Sequence, residues 1–213
     1  MKKNHIFWIL KILLIVSMLI AGRCVYDKLP AQIPSHWNAQ GIVDGYGSKW
    51  TTLIWLPALG VFLMVLFYFL PKLDPRKKNY SSFSTAREVL QLMILGFFAY
   101  IYFVIIYIVL HPEISIMPLM LRGIGVLFFV LGIAMRYLKS NYFVWIKTPW
   151  TLESEVVRDK THKLGSWLFM WAGIVFFLNA FWSGYFLPVF LLVILVCVLV
   201  PMGYSYVVYK GLK

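Results

Sequence analysis

Six apolar runs, each about 20 residues long, decide most of what this chain can become. They occupy residues 6–25, 51–71, 89–110, 118–138, 166–183 and 185–208. At a rise of about 1.5 Å per residue, a helix of that length crosses the ~30 Å hydrocarbon core of a bilayer. Hydrophobic residues make up 62% of the chain and charged residues only 13%. A soluble domain has no interior large enough to hide that surface, so lipid must be the solvent for most of it. In lipid only helices and closed barrels satisfy their own backbone groups, and no run alternates with the period of two that a barrel needs. The expectation is an all-α integral membrane protein with six transmembrane helices.

The formal net charge is +12, and its distribution says more than its size. Of the 20 Lys and Arg, only Arg23, Lys28, Lys49 and Arg122 fall on one side of the six predicted spans. The rest fall on the other side, which the positive-inside rule places in the cytoplasm together with both termini. The basicity therefore directs topology and favours contact with anionic lipid; no soluble module is present to carry direct nucleic-acid binding. Lys11, in the first turns of span one, is expected to snorkel toward the inner surface. Cys24 and Cys197 sit at different depths, which argues against a disulfide, and no metal or cofactor spacing accompanies them.

Two loops break the apolar pattern. The predicted outer loop, 26–50, has Pro30 and Pro34 followed by Gly41, Gly45 and Gly47, which favours extended chain and then tight turns. His36, Trp37, Tyr46 and Trp50 give it aromatic mass suited to a membrane interface. The predicted inner break, 139–165, carries a helix start at Thr148-Pro149: the hydroxyl caps, and the proline sits where its missing N–H costs nothing. Glu153 and Glu155 near that start, Lys160 and Lys163 further on, and Gly165 as a stop predict a short surface helix over 149–164, between spans four and five. Composition offers one soft boundary near residue 80, dividing a two-span unit (1–80) from a four-span unit (81–213).

Catalysis needs converging polar groups, and the predicted spans supply few. Apart from Lys11 and the terminal Arg122 and Arg136, the reading places no ionisable group inside the membrane, and Asn179 is the most obvious lone amide. The four histidines divide between the two faces and form no common site. His36 has the chemistry of a metal or ligand contact, but a lone loop histidine is more often a surface residue, whereas Thr161-His162 reads equally as a recognition pair or as polar residues on the surface helix. Trp150 reads first as an interfacial anchor. What remains is recognition by loops on two faces of a rigid bundle, not enzymatic chemistry.

The stretch N-Y-F-V-W-I-K-T-P-W-T-L-E-S-E-V-V-R-D-K-T-H-K-L-G, beginning at Asn141, resembles the signature of the SdpI family of bacterial immunity proteins against the secreted SDP killing peptide. Gly132 fits the glycine expected ahead of that signature. Leu29-Pro30 through I-P-S-H-W-N-A-Q-G-I-V-D-G-Y-G-S-K resembles a domain of unknown function often fused to the family. Three positions depart from the pattern: Trp145 replaces a glycine, Lys147 an arginine, and Val157 a tryptophan. An arginine's planar two-pronged hydrogen bonding is not reproduced by lysine, so any partner of Lys147 is held differently.

The resemblance implies a multi-pass protein of the bacterial cytoplasmic membrane that resists a secreted peptide toxin. It also implies a receptor that holds a cytoplasmic winged-helix repressor at the membrane. On that implication Pro34, His36, Trp37, Asn38, Gly41, Asp44, Gly45, Lys49 and Arg122 face the toxin. Asn141, Lys147, Thr148, Pro149, Trp150, Thr151, Leu152, Thr161 and His162 form the cytoplasmic partner surface. The alternative is a small transporter or permease-like protein for a toxic compound, with Pro57, Pro188 and Pro201 loosening its helices.

Overall fold

The computed structural model describes residues 2–137, 146–182 and 185–212. Its helices are α1 (Lys2–Val25), α2 (Lys49–Leu73), α3 (Ser84–Leu110), α4 (Ile116–Met135), α5 (Pro149–Glu153), α6 (Glu155–Asn179) and α7 (Phe186–Lys210). Five of them, α1, α2, α3, α4 and α7, are long and apolar enough to cross a membrane. Their outward faces carry large apolar side chains such as Leu13, Phe62 and Leu192, as lipid-facing surface requires. The chain is a multi-pass membrane protein.

Of the predicted fifth span, 166–183, residues 166–179 are the apolar half of α6, which ends at Asn179. The predicted surface helix over 149–164 does not form. After five residues α5 ends at Ser154, whose backbone is extended (φ −124°, ψ 122°) and whose side chain accepts from the Val157 N–H, starting α6 afresh. From there one helix runs to Asn179, straight through Gly165. Gly165 is no stop: it is buried, and a side chain there would strike Ile146 and Met135.

The second departure from an all-α chain lies between α1 and α2. Strands β1 (Gln32–Trp37) and β2 (Val43–Ser48) pair antiparallel, with Ile33 opposite Gly47 and Trp37 opposite Val43. Pro34 and the three glycines obscure the strand pattern in sequence, yet β2 alternates inward and outward residue by residue. Asn38 closes the turn: its side-chain oxygen accepts from the N–H groups of Gln40 and Ile42, both at 3.0 Å. Gly41 takes a positive φ of 77° against Met117, a place that admits no side chain.

Two helix groups meet along the α3–α4 pair. In the first, Met18 of α1, Leu53 of α2 and Ala99, Tyr102 and Ile105 of α3 form a core closed at one end by Ile33 of the hairpin. In the second, Leu121 of α4, Phe176 of α6 and Cys197 of α7 form another. Between lipid tails and apolar helices there is little hydrophobic drive, so close packing must hold such a bundle together. Glycines permit it: a Cβ on Gly173 of α6 would lie 2.5 Å from the backbone nitrogen of Phe129 in α4. One on Gly132 would lie 2.7 Å from the backbone of Ser166 and Met170.

Candidate functional site

The hairpin end of the bundle is a docked and shaped surface. Trp37 packs against the core formed by Val104, Ile108, Ile116 and Met117, so the hairpin is fixed to the α3–α4 junction. Lys49 is committed to structure as well: its ammonium donates to the carbonyls of Tyr26 and Leu29, both at 2.9 Å, and lies over the Tyr26 ring. His36 and Asp44 reach across the strands and pair at 2.5 Å between Nδ1 and Oδ1 on the open face. Gly45, opposite His36, leaves room for that crossing, since a Cβ there would press on the His36 Cβ at 2.9 Å. Pro34 and Asn38 are half-buried scaffold residues.

Of the predicted outer set, then, His36 and Asp44 form an exposed polar pair, while Trp37, Asn38, Gly41 and Lys49 hold the hairpin. Arg122 lies apart in sequence on α4, with its guanidinium 5.7 Å from the centre of the Phe181 ring. Ile42, Tyr46 and Trp50, all prominently exposed, complete the hairpin's outward face and are absent from the predicted set. Their alternation with Val43, Gly45 and Lys49 was the signal that identifies them.

At the opposite end of the bundle, the Thr-Pro-Trp-Thr signature forms a reciprocal cap. The Thr151 N–H donates to Thr148 Oγ1 at 3.2 Å, and the Thr148 N–H donates to Thr151 Oγ1 at 2.8 Å. The Thr148 hydroxyl then donates to Ser205 Oγ of α7 at 3.0 Å, and Ser205 donates on to the Met202 carbonyl at 2.7 Å. Trp150 packs on Tyr206 with ring centres 5.1 Å apart. The signature thus clips α5 to α7, through pairs separated by more than fifty residues of sequence.

That clip redistributes the predicted partner surface. Thr148 and Thr151 are buried within it, whereas Lys147, Pro149 and Leu152 are exposed and Trp150 is partly so. Thr161 and His162 are also buried, against the expectation that they face a partner, because α6 enters the bundle instead of lying along a surface. The His162 Nδ1–H donates back to the Arg158 carbonyl at 2.8 Å. Asn141 and Trp145 lie outside the described residues. Val157 is completely buried, so the tryptophan common at that position needs a differently packed neighbourhood.

The bundle also contains charge that the sequence reading missed. Lys11, expected to snorkel, is only 2% exposed, and Glu88, one turn into α3, only 4%. The ammonium donates to Glu88 Oε2 at 2.7 Å and to Gln91 Oε1 at 2.6 Å. Arg87 donates to the other Glu88 oxygen at 3.0 Å. Glu88 closes the charged segment between α2 and α3, where it reads as one more loop residue. Its burial follows from α3 beginning at Ser84, which carries it inside.

Comparison of the sequence with known proteins matches two of its segments to families. Residues 137–205, which hold the clip, α6 and most of α7, match the SdpI/YfhL protein family. This segment is an SdpI/YfhL family domain. Residues 13–61, which hold most of α1, the hairpin and half of α2, match a domain of unknown function, DUF1648. Over 217 aligned residues the chain is 24% identical to the "Immunity protein SdpI" of Bacillus subtilis (strain 168), covering 100% of this chain and 99% of that relative. No solved structure matches it. In the SdpI/YfhL segment, the signature residues Thr148 and Thr151 are accounted for by the cap, and Pro149 by its place in the first turn of α5.

Proposed function

We propose that the chain is a membrane immunity protein that gives a bacterium resistance to a secreted antimicrobial peptide toxin. The observation that carries this reading is the end-to-end similarity to an immunity protein, co-linear through both the hairpin unit and the signature unit. In this reading α6 is a sixth crossing. Its 25 residues span about 37 Å, and Trp171, Val175 and Leu178 give it an apolar exposed face. Six crossings put both termini in the cytoplasm and the hairpin outside, where His36, Asp44, Ile42 and Tyr46 meet the toxin. The test is survival of a toxin-sensitive bacterium expressing the chain, with His36→Ala and Tyr46→Ala variants checked for membrane insertion. Protection equal to wild type in the doubly substituted chain removes the hairpin from the toxin site.

The signature end has a second role in the same reading: a cytoplasmic repressor docks on Lys147, Pro149, Trp150 and Leu152. Toxin binding changes this docking only if the toxin prefers one of two helix packings. Recruitment of a fluorescent repressor to the membrane, measured separately from survival, tests it. Recruitment that persists after Lys147→Glu and Leu152→Glu excludes that surface.

The Lys11–Glu88 pair bears on the transport alternative, because intramembrane charge commonly marks a conduction path. Here both groups are buried and satisfied by each other and by Gln91 and Arg87, the arrangement of a structural tie. The pair favours immunity through a rigid bundle over transport through it.

A further inference from the structure

Two cavities lie end on end along the α3–α4 pair. The one nearer the hairpin holds about 210 Å³ and is lined by Met93, Gly96 and Tyr100 of α3 and by Arg122, Gly123 and Val126 of α4. The one at the opposite end holds about 590 Å³, with Ser84, Thr85, Val89, Val130, Ile133 and Arg136 in its walls. Val89, Met93, Gly96 and Tyr100 follow one another at intervals of three or four, and so do Gly123, Val126, Val130 and Ile133. Both cavities therefore belong to one furrow between the same two helix faces. Val126 and Ile133 are exposed, so the furrow opens to the bilayer. Gly96 shows how much room it has: a Cβ added there meets no neighbouring element within 4 Å.

An arginine stands at each end of the furrow. Arg122 lines the smaller cavity and makes no hydrogen bond or ion pair among the described residues; the Phe181 ring lies 5.7 Å from its guanidinium. Its five N–H donors are left to something outside the chain, and a cation on a membrane helix is costly without a partner. Arg136 is positioned by α6: its Nε donates to Ser166 Oγ at 2.9 Å, and its guanidinium lies 4.3 Å over the Trp167 ring, leaving four further donors. The two arginines stand about 21 Å apart along α4, and their long side chains reach further toward either interface. That separation suits the two phosphate layers that bound a ~30 Å hydrocarbon core.

The surrounding acids are committed elsewhere. None lines either cavity. At the hairpin end Asp27, Asp44 and Glu113 pair with Arg23, His36 and His111. At the other end Asp74 is buried and accepts from Tyr80 and the Arg76 N–H, and Glu88 is turned inward onto Lys11 and Arg87. Glu153, Glu155 and Asp159 lie on α5 and the first turns of α6, about two turns or more beyond Ser166.

We infer that the α3–α4 furrow holds two anionic phospholipids, one from each leaflet, with Arg122 gripping one phosphate and Arg136 the other. Each guanidinium presents paired N–H groups that match two phosphate oxygens, and the Ser84 and Thr85 hydroxyls add donors beside Arg136. The acyl chains lie in the furrow over Gly96 and Val130. With no carboxylate in the lining, the ammonium of a zwitterionic headgroup finds no partner, so the anionic headgroup is preferred. A second copy of the chain packed on this face would seal Arg122, unpaired, against apolar helix surface.

The experiment is native mass spectrometry of the full-length protein in detergent, titrated with phosphatidylglycerol or with phosphatidylcholine of the same chain length. Wild type is expected to retain two phosphatidylglycerol molecules and to bind them several-fold more tightly than phosphatidylcholine. Arg122→Gln breaks no bond within the protein and is expected to weaken one of the two by about tenfold; Arg136→Gln is expected to weaken the other, and Arg136→Lys, which keeps the charge, to weaken it less. Gly96→Leu fills the hairpin-end half of the furrow and is expected to displace that lipid with the melting temperature unchanged. Equal affinities for the two lipids in wild type, undiminished binding in Arg122→Gln, both lipids retained by Gly96→Leu, or a dimer that Gly96→Leu dissociates would each overturn the proposal.

Discussion

The buried tie between α1 and α3 predicts an asymmetric mutational pattern. Replacing Glu88 by Leu leaves the Lys11 ammonium, 2% exposed, with the Gln91 oxygen and the Trp8 ring 5.3 Å away but no anionic partner. An uncompensated buried charge of this kind costs about 3–5 kcal/mol. Replacing Lys11 by Met is milder, because Glu88 keeps its 3.0 Å bond from Arg87, whose side chain is 22% exposed. The loss is then that of one hydrogen bond between charged groups, about 1.5–3 kcal/mol. Removing both should return stability to within about 1 kcal/mol of wild type, since no buried charge is left unpaired and Arg87 can turn outward. The assay is equilibrium unfolding in mixed micelles followed by tryptophan fluorescence, run as a double-mutant cycle. If the double variant is as unstable as the sum of the singles, the two groups do not act as a pair and the account of this tie is wrong.

Two further outcomes are expected. Thr148→Val should cost about 1–2 kcal/mol locally and speed amide hydrogen exchange at Thr151 and Leu152, with α4 and most of α6 unaffected; unchanged exchange would contradict the cap. Gly173→Ala should destabilise the α4–α6 contact by about 1–3 kcal/mol, whereas Gly96→Ala, where a Cβ meets open space, should be tolerated; similar unfolding curves for the two would remove the close-approach argument.

Much of the bundle is legible in the sequence because length and apolarity alone specify a membrane helix. That suffices for α1, α2, α3, α4 and α7. Thr148-Pro149 also announces its cap, since both partners lie within four residues. What escapes is set by long-range packing. Nothing local distinguishes Thr161 and His162 on a surface helix from the same residues on a helix entering the bundle; the break at Ser154 decides between them. Lys11 and Glu88 lie 77 positions apart, so no period or motif joins them. The hairpin is an intermediate case: Ile42, Asp44, Tyr46, Ser48 and Trp50 alternate with inward residues, but Pro34 and a glycine-rich composition give the same stretch the character of a loop.

The central claim, toxin immunity, is tested most directly by survival. A bacterium sensitive to the SDP killing peptide is given the chain with a tag that confirms membrane insertion, then challenged across a range of toxin concentrations. The account predicts growth at concentrations that kill cells carrying an empty vector. Equal killing of both populations, with the chain fully inserted, would contradict it.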